Sequence, residues 1–234
     1  MKKIFIISIL ALSVVALSGC RKTTNTAANM PEYMSGNYSK QQHYLSIRGK
    51  GLTQMPDICA DITTGNLLDD IRFIDLGDNQ ITSISADYSC LGNLQELNLS
   101  YNKLSSIKNL DKLKFLSKLE LHKNEITSAD GLEKLSTLKT LNLGYNQISD
   151  ISALKNLKNL TTLELQQNQI SDISPLSALT NLETLKLEYN QISDESQLKI
   201  FEYLNNLKWI SLGMNQLPQD KVKALQDKIN PAQQ

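Results

Sequence analysis

The sequence predicts an open solenoid of α/β type, with short parallel strands on the concave face and an irregular or short helical convex side. Three observations predict it. One frame recurs seven times: an aliphatic residue, two others, an aliphatic, one other, an aliphatic, two others, then Asn. The closing residues are Asn79, Asn102, Asn124, Asn146, Asn168, Asn190 and Asn215, spaced by 23, 22, 22, 22, 22 and 25. The chain departs from the frame only toward its two ends, where a stack needs lids. In such a stack each unit touches only its neighbours, so the product is an extended curved surface.

The repeat unit is clearest at Leu182, Leu185, Leu187, Asn190 and Ile192, with Ile173, Leu176 and Leu179 before it. Leu185 and Leu187 lie two apart, which is strand periodicity with both side chains inward and Lys186 outward. The other aliphatics fall three apart, too sparse for a strand and suited to a loose return segment. No single coil buries its own apolar face, so stacking fuses the rows into one core. A fixed period near 22 with Leu at these positions predicts a leucine-rich repeat solenoid.

The elements follow in chain order. Lys2 and Lys3 precede an apolar run from Ile4 to Leu17, then Ser18, Gly19 and Cys20. A positive segment, an apolar core and small residues at the cleavage site make an export signal over 1–19. Leu17-Ser18-Gly19-Cys20 resembles a bacterial lipobox, which implies cleavage before Cys20, acyl chains on that residue and a stable membrane anchor. Arg21 after it resembles proteins sent to the outer membrane where the source is diderm. Residues 20–43 are polar and read as a flexible tether. Residues 44–70 read as an N-terminal cap with a degenerate coil: Leu45, Ile47, Leu52, Met55 and Ile58 follow the frame, with Lys50 where Asn belongs. The repeats proper span 71–217. Their Asn residues carry a donor and an acceptor on a short side chain, so they suit a structural ladder that satisfies turn backbone groups.

Toward the C-terminus the 25-residue spacing predicts a helix after Asp194, with Leu198, Phe201 and Leu204 or Tyr203 at helical intervals. Asp194 and Gln197 resemble a capping box. Residues 218–234 read as a helical cap, with Val222, Leu225 and Ile229 on one face and Pro231 past its end.

Composition narrows the function. The chain has 24 basic and 24 acidic residues, and loss of the signal leaves it slightly acidic. No basic stripe is visible, which argues against nucleic acid. No glycine-rich phosphate loop or nucleophile motif is present, so neither an enzyme, a cofactor nor a small-molecule substrate is expected. Cys59, Cys90, His43 and His122 lack metal-ligand spacing, so no metal is expected. The two cysteines sit at comparable stages of neighbouring coils. Two readings stay open: a disulfide closing a loop of roughly 30 residues and adding about 3–4 kcal/mol, or two buried small hydrophobes.

Alternation along the strands sorts the outward residues into lanes. The first holds Phe73, Glu96, Lys118, Thr140, Thr162, Thr184 and Trp209. The second holds Asp75, Asn98, Glu120, Asn142, Glu164, Lys186 and Ser211. The third holds Gly77, Ser100, His122, Gly144, Gln166, Glu188 and Gly213. Residues just before each ladder Asn form a fourth: Asp78, Tyr101, Lys123, Tyr145, Gln167, Tyr189 and Met214. Three Tyr on alternate coils would stand about 10 Å apart. Tyr and Trp are enriched at binding hot spots, so these three and Trp209 are expected on one side of the solenoid as binding residues. The competing reading is a structural or envelope-assembly spacer without a dedicated ligand.

The run Asn168-Gln169-Ile170-Ser171-Asp172-Ile173-Ser174-Pro175-Leu176, followed by Leu179-Thr180-Asn181-Leu182, resembles the repeats of the internalins, bacterial surface proteins. Asn146-Gln147-Ile148-Ser149-Asp150-Ile151-Ser152 repeats much of it. The resemblance covers roughly residues 71 to 217. It implies a concave strand face that binds a protein. With the lipobox, it implies a membrane-anchored lipoprotein of the bacterial cell envelope.

Overall fold

A computed structural model describes residues 34, 36–61, 67–84 and 88–230. The expected signal 1–19, the lipidation candidate Cys20 and the tether up to residue 33 lie outside the described residues, as do residues 231–234.

Among the described residues nine strands form one sheet in chain order. Strands β1 (Tyr38–Ser39) and β2 (Tyr44–Ser46) pair antiparallel. Then β3 (Phe73–Asp75), β4 (Glu96–Asn98), β5 (Lys118–Glu120), β6 (Thr140–Asn142), β7 (Thr162–Glu164), β8 (Thr184–Lys186) and β9 (Trp209–Ser211) follow in parallel. Each of these three-residue strands has a buried centre and half-buried flanks. The centres stack in register: Leu45, Ile74, Leu97, Leu119, Leu141, Leu163, Leu185 and Ile210. So short a strand is held by its rows. Leu76, Leu99, Leu121, Leu143, Leu165, Leu187 and Leu212 form a second fully buried row, and all of them join one continuous core.

The Asn residues close each turn. Asn124 Nδ2 donates to Leu121 O in its own coil and to Leu99 O in the preceding one, both at 3.0 Å, while its Oδ1 accepts the Leu104 N–H at 3.0 Å. Asn168 repeats this with Leu165, Leu143 and Ile148. At the first coil Asn79 Oδ1 accepts two N–H groups, those of Lys50 and Leu52. Without these bonds the buried turn carbonyls would be orphaned.

A second ladder, which the sequence reading did not pick out, runs at the corner entering each strand. Asn159 donates to Ser136 O, Asn181 to Lys158 O, Asn206 to Thr180 O and the Thr137 hydroxyl to Lys114 O. Phe115 takes this place in the coil of β5 and stands 63% exposed.

The return segments carry 3-10 helices at Ser152–Asn156, Ser174–Ala178 and Glu195–Glu202. Asp150, Asp172 and Asp194 start them, each accepting the N–H two residues on. Hydrogen bonds from Ser152 and Ser196 hold the Asp150 and Asp194 carboxyls below the usual carboxylate range. The eight-residue turn Glu195–Glu202 absorbs the longer spacing. The expected capping box is corrected: Gln197 reaches into the preceding coil instead. Its Oε1 accepts the Ile173 N–H and its Nε2 donates to Ser171 O. A neighbouring coil offers it two backbone groups that a lone helix end lacks.

The tether also needs correction. Residues 36–43 are folded, because β1 covers the edge of β2, Met34 is buried and Asn37 O accepts the Ser46 N–H. An uncovered first strand would expose its backbone groups. Helices α1 (Ile58–Asp61) and α2 (Leu67–Asp70) lie in the first return segment. A disulfide joins Cys59 to Cys90, with Cα atoms 5.7 Å apart, and staples this coil to the next. At the far end α3 (Gln219–Ile229) buries Val222 and packs Leu225 and Ile229 on the core. Asn230 then caps the open edge of β9: its Oδ1 accepts the Ile210 N–H and its Nδ2 donates to Ile210 O.

Candidate functional site

The concave face is what the coils leave outward. Register places Phe73, Glu96, Lys118, Thr140, Thr162, Thr184 and Trp209 in one half-buried row. Trp209 therefore pairs with Thr184 and sits five residues before the Met214 position of the tyrosine row. It keeps the first lane that alternation gives it, on the same outward face as the tyrosine row but across the strands from it.

The middle of the face is a polar network. At the N-terminal end the Tyr44 hydroxyl donates to Asp75, and Asn98 Nδ2 donates to Asp75 Oδ1 at 2.9 Å. Asn98 and Asn142 then accept the N–H groups of Ser100 and Gly144. His122 Nδ1 shares a 2.9 Å hydrogen bond with Ser100 Oγ, lies 3.5 Å from Asn142 Nδ2 and 3.6 Å from the Glu120 carboxylate. Lys118 pairs with Glu120 at 3.4 Å and Lys186 with Glu164 at 2.8 Å. Half-exposed pairs of this kind add little stability; they set a pattern of charge along the sheet. Among the described residues no group of three His, Cys, Asp or Glu side chains is placed to hold a metal ion.

Two atoms break the pattern. Gln166 Nε2 donates to Glu164 Oε2, but Gln166 Oε1 is buried with no hydrogen-bond partner, and so is Glu188 Oε2. Gln166 is only 9% exposed. Its head fits because residue 144 is Gly: a Cβ there would lie 2.6 Å from Gln166 Nε2. Both atoms are acceptors to which no group of the described chain donates. Both residues were expected to contact a partner, but nothing in the sequence marked Gln166 as buried or Glu188 as half-buried.

The fourth lane has a backbone property of its own. Asp78, Tyr101, Lys123, Tyr145, Gln167, Tyr189 and Met214 all adopt a left-handed conformation, with φ between 53 and 58°. None is Gly, although a side chain there costs about 1–2 kcal/mol. Tyr101 and Tyr145 are each 41% exposed and Tyr189 is 51% exposed. Lys123 stands between the first two, its Nζ 4.5 Å from the Tyr101 ring centroid and 5.4 Å from that of Tyr145. The same Nζ donates to the Tyr101 hydroxyl, and Tyr101 meets His122 edge-on at 5.0 Å. Backbone strain is retained along this edge while large side chains are held outward.

A family model described as leucine-rich repeats in two copies matches residues 69–112, 114–156 and 158–200, more than half of the chain. Solved structures resemble it over most of its length. An internalin C2 of Listeria monocytogenes is 31% identical, with a TM-score of 0.57, over 75% of this chain and 84% of that one. A second Listeria monocytogenes internalin (inlF) is 28% identical, with a TM-score of 0.56, over 70% of this chain but only 54% of its own. A leucine-rich repeat protein of Leptospira interrogans is 26% identical, with a TM-score of 0.64, over 77% of this chain and 46% of its own. No curated protein sequence matches. The tandem repeat matches and the internalin C2 likeness agree with the register and the Asn ladder: the chain belongs to the leucine-rich repeat family and is an internalin-like bacterial member of it.

Proposed function

We propose that the protein is a lipid-anchored component of the bacterial cell envelope whose concave face binds another protein. The observation that carries the reading is the row of exposed Tyr101, Tyr145 and Tyr189 at strained left-handed positions. Rigid amphipathic rings at regular spacing suit a protein surface, and the left-handed turn before each ladder Asn holds them outward. The likeness to internalins supports a binding role over a spacer. The Leu17-Ser18-Gly19-Cys20 motif supports the anchor, in the outer membrane where the source is diderm.

The experiment compares wild type with Tyr145→Ala, Tyr189→Ala and the core control Leu163→Ala in capture of a partner. The tyrosine variants should keep the fold and weaken capture about thirtyfold, the loss of about 2 kcal/mol typical of a central aromatic. Unchanged capture in both refutes the face assignment. Cys20→Ala should abolish the acyl mass and detergent partitioning of the exported chain. A wild type without acyl mass refutes the anchor.

A further inference from the structure

Glu164 is satisfied from two sides, by Lys186 at 2.8 Å and by Gln166 Nε2 at 3.3 Å. Glu188, one coil on, has no such cation among the described residues. Its Oε2 and the Gln166 Oε1 are buried acceptors without a donor. They belong to consecutive coils whose register is fixed by the Gln167 N–H donating to Glu188 O at 2.9 Å. Glycines bracket the pair in the same lane: Gly144 gives the Gln166 head its room, and a Cβ at Gly213 would meet nothing within 4 Å. Tyr145 and Tyr189 directly follow Gly144 and Glu188 in the chain and stand exposed along one edge.

We infer that the Gln166–Glu188 pair seats an arginine side chain of the bound protein. Two acceptors, one of them anionic, call for a cation with several donors. A guanidinium presents five N–H groups in a planar fork and stacks on aromatic rings, whereas an ammonium is a compact, strongly hydrated point charge. The inference deepens the concave-face reading and rests on it.

The test is a titration of the 15N-labelled protein with Nα-acetyl-arginine amide, its neutral analogue Nα-acetyl-citrulline amide, and Nα-acetyl-lysine amide. The arginine probe should shift the Gln166 side-chain amide and the backbone amides of Gln166 and Glu188 saturably. Citrulline should bind about tenfold more weakly or less, since it lacks the charge. Glu188→Gln should weaken the arginine probe by a similar factor while leaving thermal stability unchanged or raised, which a merely structural carboxylate would not do. Equal binding of citrulline, tighter binding of lysine, absence of saturable shifts at these amides, or an unaffected Glu188→Gln protein each overturns the inference. If these probes fail while Tyr145→Ala and Tyr189→Ala still abolish partner capture, the arginine seat is wrong and the face assignment stands. If arginine seats but capture ignores the tyrosines, the face assignment is wrong, and with it the claim that a bound protein supplies the arginine.

Discussion

Replacing Tyr189 separates backbone strain from side-chain use. Tyr189 holds φ at 58° and its ring is half exposed. Ala at this position removes the ring but keeps the strain, whereas Gly removes both. Relief of a left-handed side chain is worth about 1–2 kcal/mol. Glycine's greater unfolded freedom returns about 0.5–1 kcal/mol of that. Tyr189→Gly should therefore be more stable than Tyr189→Ala by about 0.5–1 kcal/mol, the reverse of the order expected in an ordinary strand. For a chain of this size that is a rise of roughly 1–4 °C in melting temperature. The assay is paired urea unfolding with equal slopes, since a changed slope would mean a changed unfolded state. Both variants should lose partner capture alike. Tyr145 gives a less clean comparison, because its loss also removes the contact with Lys123. If the Gly variant proves less stable than the Ala variant, the position is not strained; if either variant keeps full partner capture, the ring is not used for binding.

Further predictions concern the frame. Asn124→Ala removes three hydrogen bonds and leaves buried backbone groups in two coils; it should cost about 2–5 kcal/mol and speed hydrogen exchange in the coils on either side, and a loss below about 1 kcal/mol would contradict the ladder's role. Reducing Cys59–Cys90, whose loop spans 31 residues, should lower stability by about 3–4 kcal/mol and loosen the N-terminal cap before the central coils; uniform loosening would contradict nearest-neighbour coupling. Burial pushes the Tyr38 and Tyr44 hydroxyls above their ordinary value near 10. A group raised on folding stabilises fully below its unfolded value and loses that contribution as pH rises through the folded one, so the β1–β2 hairpin should yield to protease above about pH 10 before the central coils do. Simultaneous cleavage of both would refute this.

The repeat was legible because two physical demands write themselves into residue type. The inward rows need aliphatics at spacings of two and three, as at Leu185, Leu187 and Leu182, and the buried turn needs a short side chain with both a donor and an acceptor, as at Asn190. Other features left no such mark. The β1–β2 hairpin rests on Met34 and a few backbone bonds within an otherwise polar stretch, so composition read it as tether. The left-handed row is held by Asp, Tyr, Lys, Gln and Met alike; the Asn that follows and the closure of the coil impose the conformation, not the residue itself. Trp209, by contrast, was legible because strand alternation places it in register with Thr184. The burial of Gln166 depends on Gly144 one coil earlier, a contact across 22 residues that no local pattern encodes. The disulfide needed the fold to decide it, since register alone brings Cys59 and Cys90 together.

The central claim is that the tyrosine edge of the concave face meets a protein partner. The most direct measurement places a photo-crosslinking amino acid at Tyr145 and at Tyr189 in turn, and at exposed Phe115 on the corner ladder as the contrast, and irradiates intact cells carrying each variant. Crosslinking at the two tyrosine positions to the same protein, suppressed by excess unlabelled wild-type protein and absent at Phe115, is the predicted result. Adducts from Phe115 alone, or equal non-saturable labelling at all three positions, would contradict it.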